Sequence, residues 1–465
     1  MTDARTPQSQ LPMRRIVQTW WPLAASWVLM GAELPTLSAV MARLPDPEIN
    51  LAAYGGVVFP LALIVESPII MLLAASTALS RDRDSYRKLR RFMMRAGALL
   101  TALHVLVAFT PLYYIVAGRI IGAPPEIIEP ARVGLMIMTP WTWSIAYRRF
   151  QQGVLIRFGH SRAVGLGTAL RLCADVIVLA VGYYMATVPG IVVATCAVIA
   201  GVLTEALYAG LAVRPVLHRH LELAEPVQPP LTFRVFLEFY IPLAMTSLLV
   251  LLVQPIGAAA LSRMPRPLES LAVWPIVSGL IFMLRSLGIA YNEVVVALLD
   301  EPGSTPGLRQ FALLLATTTT LLLVTIAATP LATFWFGRVS GLSLPLLVLA
   351  RTALWAALPV PGSNVLQSWY QGAMVHNRRT RGITEAMSVF LVTSSVCLWA
   401  GVAWGQVVGL YIGLLAFSVA SLAQTLWLWQ RSRPVMRSLR VRDSLLGEAG
   451  ETRSPGSLFG ASGPS

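Results

Sequence analysis

Long runs of apolar residues, each separated from the next by a short polar link, follow one another along almost the whole chain. A helix needs roughly 20 mostly apolar residues to cross a bilayer core, and about a dozen stretches meet that length. The pattern predicts spans at Val17–Ala42, Asn50–Leu79, Phe92–Ala117, Ala131–Leu155, Ala163–Ala186 and Ile191–Val213. After a link at Arg214–Arg234 it predicts six more, at Val235–Leu261, Leu268–Leu299, Phe311–Phe336, Leu342–Met374, Ile383–Trp404 and Val407–Trp429. Open sheet edges cannot be satisfied in lipid, so the expectation is an all-α integral membrane protein. From Arg431 to Ser465 the chain turns basic and then rich in Gly, Ser and Pro, which predicts a tail whose last twenty or so residues are disordered.

The two groups of six spans read as copies of one another. "WWPLAASWVL" is answered by "YIPLAMTSLL", with Pro22 opposite Pro242 at an offset of 220 residues, and "LAAYGGVV" by "LAVWPIVS" at the same offset. Pro111 meets Pro330, and Gln152 and Gly153 meet Gln371 and Gly372, at an offset of 219. Because six is even, both halves insert the same way, as two six-helix lobes related by a parallel pseudo-two-fold repeat. The predicted organisation is an N-terminal segment (1–16), a first lobe (17–213), a linker (214–234), a second lobe (235–430) and a tail (431–465).

Composition agrees with the pattern: 56% of the 465 residues are hydrophobic and 12% charged, with a mean hydropathy of +0.67. The net charge of +14 would suggest a nucleic-acid partner in a soluble protein, but here the cations lie in the links between spans. Arg81–Arg91, Arg157–Arg162, Arg214–His220, His376–Arg381 and Arg431–Arg442 all fall on one side. The positive-inside rule then places both termini in the cytoplasm of an inner (plasma) membrane protein, and Arg81–Arg91 is read as a contact for lipid headgroups. Trp20, Trp21, Trp404, Trp427 and Trp429 are expected as interfacial anchors. The first apolar run is too long for a signal-peptide core. Cys173, Cys196 and Cys397 sit inside spans with no metal-type spacing and are expected as small buried packing residues.

No GxxxxGK[ST] loop is present, so nucleotide hydrolysis is not expected. Parallel six-helix halves without a soluble domain fit a secondary transporter. The sequence resembles the multidrug and toxin extrusion (MATE-type, MOP) superfamily and, within it, the progressive ankylosis (ANK) family. The resemblance rests on "WPLA" in span 1, "LAAYG" at Leu51, "SRDR" at Ser80, "QPIGAAALSR" at Gln254 and "PVPGSNVLQSWYQGAMVHNRRT" at Pro359. It implies two lobes around a central cleft, alternating access and export of an organic or phosphorylated anion.

Ionisable groups in mid-bilayer cost about 2.5–3.5 kcal/mol on insertion scales, so each requires a reason. Glu66 lies near the middle of span 2 and Arg285 near the middle of span 8. In a MATE-like arrangement the two can meet, either as a cleft salt bridge that a substrate or proton opens, or as a permanent bridge between lobes. Glu33 in span 1 is a proton-linked carboxylate or a hydrated group near the outer surface, and Pro35 beside it suits a bent helix. Arg171 and Asp175 are spaced to pair on one face of span 5, as a structural ion pair. Glu205 and Arg351 are assigned similar roles within or between lobes, Arg351 matching Arg132 in the repeat. Asn292 and Glu293 are candidates for the cytoplasmic half of the cleft. Asn364, Gln367 and Gln371 form one polar face of span 10, either lining a path or joining helices.

The reading is a secondary-active exporter of an anionic or amphiphilic small molecule, with a coupling proton or sodium ion, contacts to membrane lipids, no nucleic-acid partner and no cofactor, working as a monomer. One alternative is a lipid-linked saccharide flippase, for which several arginines are expected in the first helices of each lobe. Another is a structural or regulatory membrane protein without transport. A membrane enzyme would call for clustered ligating groups within the spans, and of five histidines only His104 lies in one.

Overall fold

A computed structural model describes residues 11–221, 223–301, 303–377 and 381–451. The described residues are mostly helical, with no strand among them, and eleven helices are long and apolar enough to span a membrane. These are span 1 (Met13–Met41), span 2 (Pro47–Glu66), span 3 (Arg83–Phe109), span 5 (Ser161–Met185), span 6 (Gly190–Leu221) and span 7 (Phe233–Leu261), followed by span 8 (Pro267–Leu298), span 9 (Ser304–Ala328), span 10 (Leu344–His376), span 11 (Arg381–Trp404) and span 12 (Gly409–Asp443). Span 4 consists of two helices, Pro125–Ile137 and Thr139–Arg157, and is the polar one, since it carries Arg148, Arg149, Gln151 and Gln152.

Within the first lobe span 4 packs against spans 2, 3 and 6, and span 5 lies along span 6. The second lobe repeats this with span 10 against spans 8, 9 and 12, and span 11 along span 12. The register is visible in side-chain contacts. A Cβ on Gly182 would meet Val193 just as one on Gly401 would meet Ile412, both pairs 219 residues apart.

Prolines set the breaks. Span 1 is interrupted at Ala32 and span 7 at Leu252, in each case three residues before a proline, Pro35 or Pro255. The proline ring lacks an N–H and clashes with the carbonyl four residues earlier, so the ladder opens there. Span 2 ends at Glu66 and resumes at Leu72, with Pro68 in the intervening turn. Its repeat partner span 8 has Gly288 at the equivalent position and continues unbroken.

The basic link expected at His376–Arg381 includes 378–380, which lie outside the described residues, as do 1–10 and 452–465. The helix of span 12 runs on through the basic stretch to Glu451, so the expected disordered tail begins as helix. One expectation is corrected: Cys173 is exposed on the outer face of span 5, because that helix buries only a narrow stripe against span 6, while Cys196 and Cys397 are partly buried.

Candidate functional site

The first lobe encloses a network of charges between spans 1, 4, 5 and 6. Glu205 of span 6 is fully buried, and Arg148 of span 4 donates to its Oε2 at 2.5 Å. Gln152, one helical turn from Arg148, donates to Oε1 at 2.8 Å, and the Thr168 hydroxyl to the same oxygen at 3.4 Å. Arg171 of span 5 lies 3.9 Å from Glu205 on one side and 3.9 Å from Asp175 on the other, and its guanidinium bonds directly to Glu33. Glu33 reaches it because the break at Ala32 makes Glu33 the first residue of the new helical segment. Tyr54 of span 2 adjoins the cluster.

The expected Arg171–Asp175 pair is therefore the looser of two contacts, and Arg171 is chiefly the partner of Glu33. Both carboxylate oxygens of Asp175 are buried without a hydrogen bond. Glu66 belongs to the same region. It is buried, with Arg149 and Arg148 the nearest influences on its charge and Trp141 beside it. Counting Glu33, Glu66, Asp175 and Glu205 against Arg148, Arg149 and Arg171, the cluster has four carboxylates for three guanidiniums.

The expected Glu66–Arg285 bridge does not form: among the described residues no ion pair joins them. The charges that act on the carboxylate are instead Arg149 and Arg148 of its own lobe. Arg285 has no carboxylate partner among the described residues, and its Nε is buried without a hydrogen bond.

Of the remaining candidates, Asn292 and Gln367 join helices of the second lobe and Glu293 joins the two lobes. Asn292 donates to the Ser368 carbonyl at 3.1 Å, tying span 8 to span 10. Glu293 accepts from the Trp27 indole at 3.1 Å, tying span 8 to span 1. Gln367 donates at 3.0 Å to the Ser421 carbonyl and hydroxyl and to the Thr425 hydroxyl, holding span 10 to span 12. Asn364 is buried with its Oδ1 unbonded, and Gln371 is half-buried. Arg351 is exposed, whereas its repeat partner Arg132 donates to the Ala108 carbonyl and the Tyr114 hydroxyl.

Two further arginines, not singled out from the sequence, clasp the lobes at the end opposite the basic links. Arg43, closing span 1, donates to the Arg338 carbonyl and, at 3.0 Å, to that of Val339. Arg263, its equivalent closing span 7, donates to the carbonyls of Ile121 at 2.6 Å, Ile120 at 2.7 Å and Arg119 at 3.1 Å. Gly341 and Gly122, both at positive φ, leave the room each guanidinium occupies, since a Cβ on either would approach it to about 3 Å. The signal was present in the repeat: both arginines precede a Pro-x-Pro turn, "RLPDP" and "RMPRP". Trp20 donates to the Leu287 carbonyl at 2.9 Å and its equivalent Tyr240 to that of Pro68, so both join the lobes.

No family model and no curated protein matches the chain. Among solved structures it is similar to an inward-facing multidrug resistance MATE family transporter of the MOP superfamily. The TM-score is 0.69 at 15% identity, over 89% of this chain and 98% of that one. The lipid II flippase MurJ in an inward closed conformation follows at 0.67 and 14% identity, covering 94% of both chains. An outward-facing MATE family transporter scores 0.58 at 15% identity, over 94% of this chain and all of the other. The fold is that of the MATE-type, MOP-superfamily transporters. On this MATE fold the charge network lies wholly in the first lobe, and the clasps join the two lobes at one end.

Proposed function

We propose that the protein is an alternating-access transporter that carries an anionic or amphiphilic small molecule outward across an inner membrane, with both termini cytoplasmic. The observation that carries the anionic class is Arg285, a guanidinium inside the membrane-spanning bundle with no carboxylate to offset it among the described residues. An enclosed cation without a counter-charge is costly, and a bound anion removes that cost while gaining charge-assisted, bidentate hydrogen bonds. The narrower resemblance to the progressive ankylosis family rests on sequence patches alone and points to the same class of cargo.

Coupling is assigned to the first lobe. Four carboxylates facing three guanidiniums leave one negative charge for a proton or sodium ion to balance, and Asp175, with neither oxygen hydrogen-bonded, is the member free to take it. The clasps made by Arg43 and Arg263 support a resting state closed on the extracytoplasmic side, as does the greater likeness to an inward-facing neighbour than to an outward-facing one.

The experiment is efflux of a panel of organic and phosphorylated anions from proteoliposomes, with and without a proton or sodium gradient. Arg285→Ala should lower anion flux by roughly tenfold or more, the loss of one charge-assisted contact of about 1.5–3 kcal/mol, and Arg285→Lys should recover part of it. A folded Arg285→Ala variant that exports anions normally would remove the anionic assignment. Gradient dependence that survives Asp175→Asn would remove the coupling assignment. The high likeness to MurJ over nearly the whole of both chains favours a second reading, transfer of a lipid-linked anion, which the same assay distinguishes by preference for a long-chain over a water-soluble cargo.

A further inference from the structure

The basic side chains described in span 12 divide into two groups. Arg431 bonds to Glu385 and Arg442 to Asp443, so both are neutralised locally. Arg433 and Arg437, one turn apart on one face, form no ion pair among the described residues, nor does Arg309 at the start of span 9. These three guanidiniums surround a cavity of about 310 Å³ between spans 9, 10 and 12, walled on its other sides by Trp369, Tyr370 and Trp429. The guanidinium of Arg433 lies 3.8 Å from the centre of the Trp429 ring, a cation–π contact that fixes its direction.

We infer that this cavity binds the headgroup of an anionic phospholipid. A phosphodiester matches the planar donor forks of three arginines, and the aromatic wall suits the headgroup level of a bilayer. The same stripe of span 12 continues towards mid-membrane as exposed Leu426 and Leu422, and that of span 9 as exposed Leu313, so acyl chains have apolar surface directly beneath the basic cluster. Fold symmetry does not account for the feature. At an offset of 219 the arginines have basic counterparts in Arg90, Arg214 and His218, but Trp429 is replaced by Gly210. A Cβ on Gly210 would come within 2.6 Å of the Tyr147 hydroxyl, so tyrosine fills the corresponding space in the first lobe. The Trp429 side of the wall therefore has no equivalent at the matching position of the first lobe.

The test uses the full chain reconstituted in an equal mixture of phosphatidylcholine and phosphatidylglycerol, extracted gently and examined by native mass spectrometry for retained lipid. Wild type should keep phosphatidylglycerol selectively. Each arginine lost should weaken retention roughly fivefold, so Arg309→Gln/Arg433→Gln/Arg437→Gln loses roughly a hundredfold. The exposed single variant Arg437→Gln, which poses no folding risk, should show the fivefold step. Arg162→Gln/Arg219→Gln, exposed in the other basic links of the first lobe, should retain lipid as wild type does. Equal retention of the two lipids by wild type, or retention unaffected by Arg437→Gln, would overturn the inference. So would displacement of the lipid by millimolar inorganic phosphate, which would show a site for the free ion instead.

Discussion

The two lobes share one backbone plan and fill it with opposite chemistry. At an offset of 219, Arg148 corresponds to Gln367, Glu205 to Gln424, Arg171 to Phe390 and Asp175 to Ser394, while Glu33 corresponds to Val253 at 220. The second lobe still ties its middle helix to its last, through Gln367 on Ser421 and Thr425. Polar contact between those helices therefore belongs to the fold, but charge does not, since an equivalent lobe is built with amides and hydroxyls. Seven ionisable groups in the first lobe require another reason, and under the proposed function that reason is coupled transport.

The sharpest break in the comparison is Glu205→Leu. It strands Arg148 and Gln152 in the bundle, and removing one partner of a buried ion pair costs about 3–5 kcal/mol. Gln424→Leu, the same change in the other lobe, removes only an amide contact to the Met387 sulfur at 3.0 Å and should cost under about 1.5 kcal/mol. Thermal unfolding of both purified variants in one detergent checks the ordering. Equal losses would mean that the charges of the first lobe are packing groups after all.

A smaller effect is expected at Gly201, whose counterpart is the fully buried Ala420. Alanine is accommodated in the second lobe because Ser394 lies where the first lobe has Asp175. In the first lobe a Cβ at 201 would fall 1.9 Å from Asp175 Oδ1 and 3.0 Å from Arg171 Cγ. Gly201→Ala should therefore destabilise by about 2 kcal/mol, within the usual cost of overpacking. Adding Asp175→Ser, which copies the second lobe, should restore most of that stability without restoring coupled transport. A double variant no more stable than Gly201→Ala alone would show that the two positions are not in contact.

Much of this plan was legible in the sequence, and the part that was not has a common cause. Hydrocarbon thickness sets the length of each span, and prolines mark the breaks, so the spans, the repeat and the bend at Pro35 can be read directly. Span 4 was legible as a span, but its arginines look like flanking charge because they lie close to a basic link. Which carboxylate meets which arginine depends on the rotation of each helix about its axis. In spans that are apolar on nearly every face, hydrophobic periodicity does not fix that rotation. Depth alone accordingly pairs Glu66 with Arg285, whereas the charges that act on it in the structure are Arg149 and Arg148. Glu33 and Arg171 stand out separately in the sequence, and only the break at Ala32 brings them together.

The finest distinction concerns a residue the lobes have in common. Gln152 and Gln371 occupy equivalent positions, each followed by glycine, and sequence treats them alike. In the structure Gln152 is buried and donates to a carboxylate at 2.8 Å, whereas Gln371 is half-buried. A hydrogen bond to a charged group contributes about 1.5 kcal/mol or slightly more, so Gln152→Ala should lower stability by about that amount. Gln371→Ala should stay within about 0.5 kcal/mol, as for other substitutions that break no buried contact. Because both variants delete the same atoms from the same place in the repeat, the difference between their unfolding midpoints isolates the contribution of Glu205 to its surroundings. If the midpoints coincide, the carboxylate is neutral in the folded protein, and the excess negative charge of the first lobe is already balanced there by a bound proton.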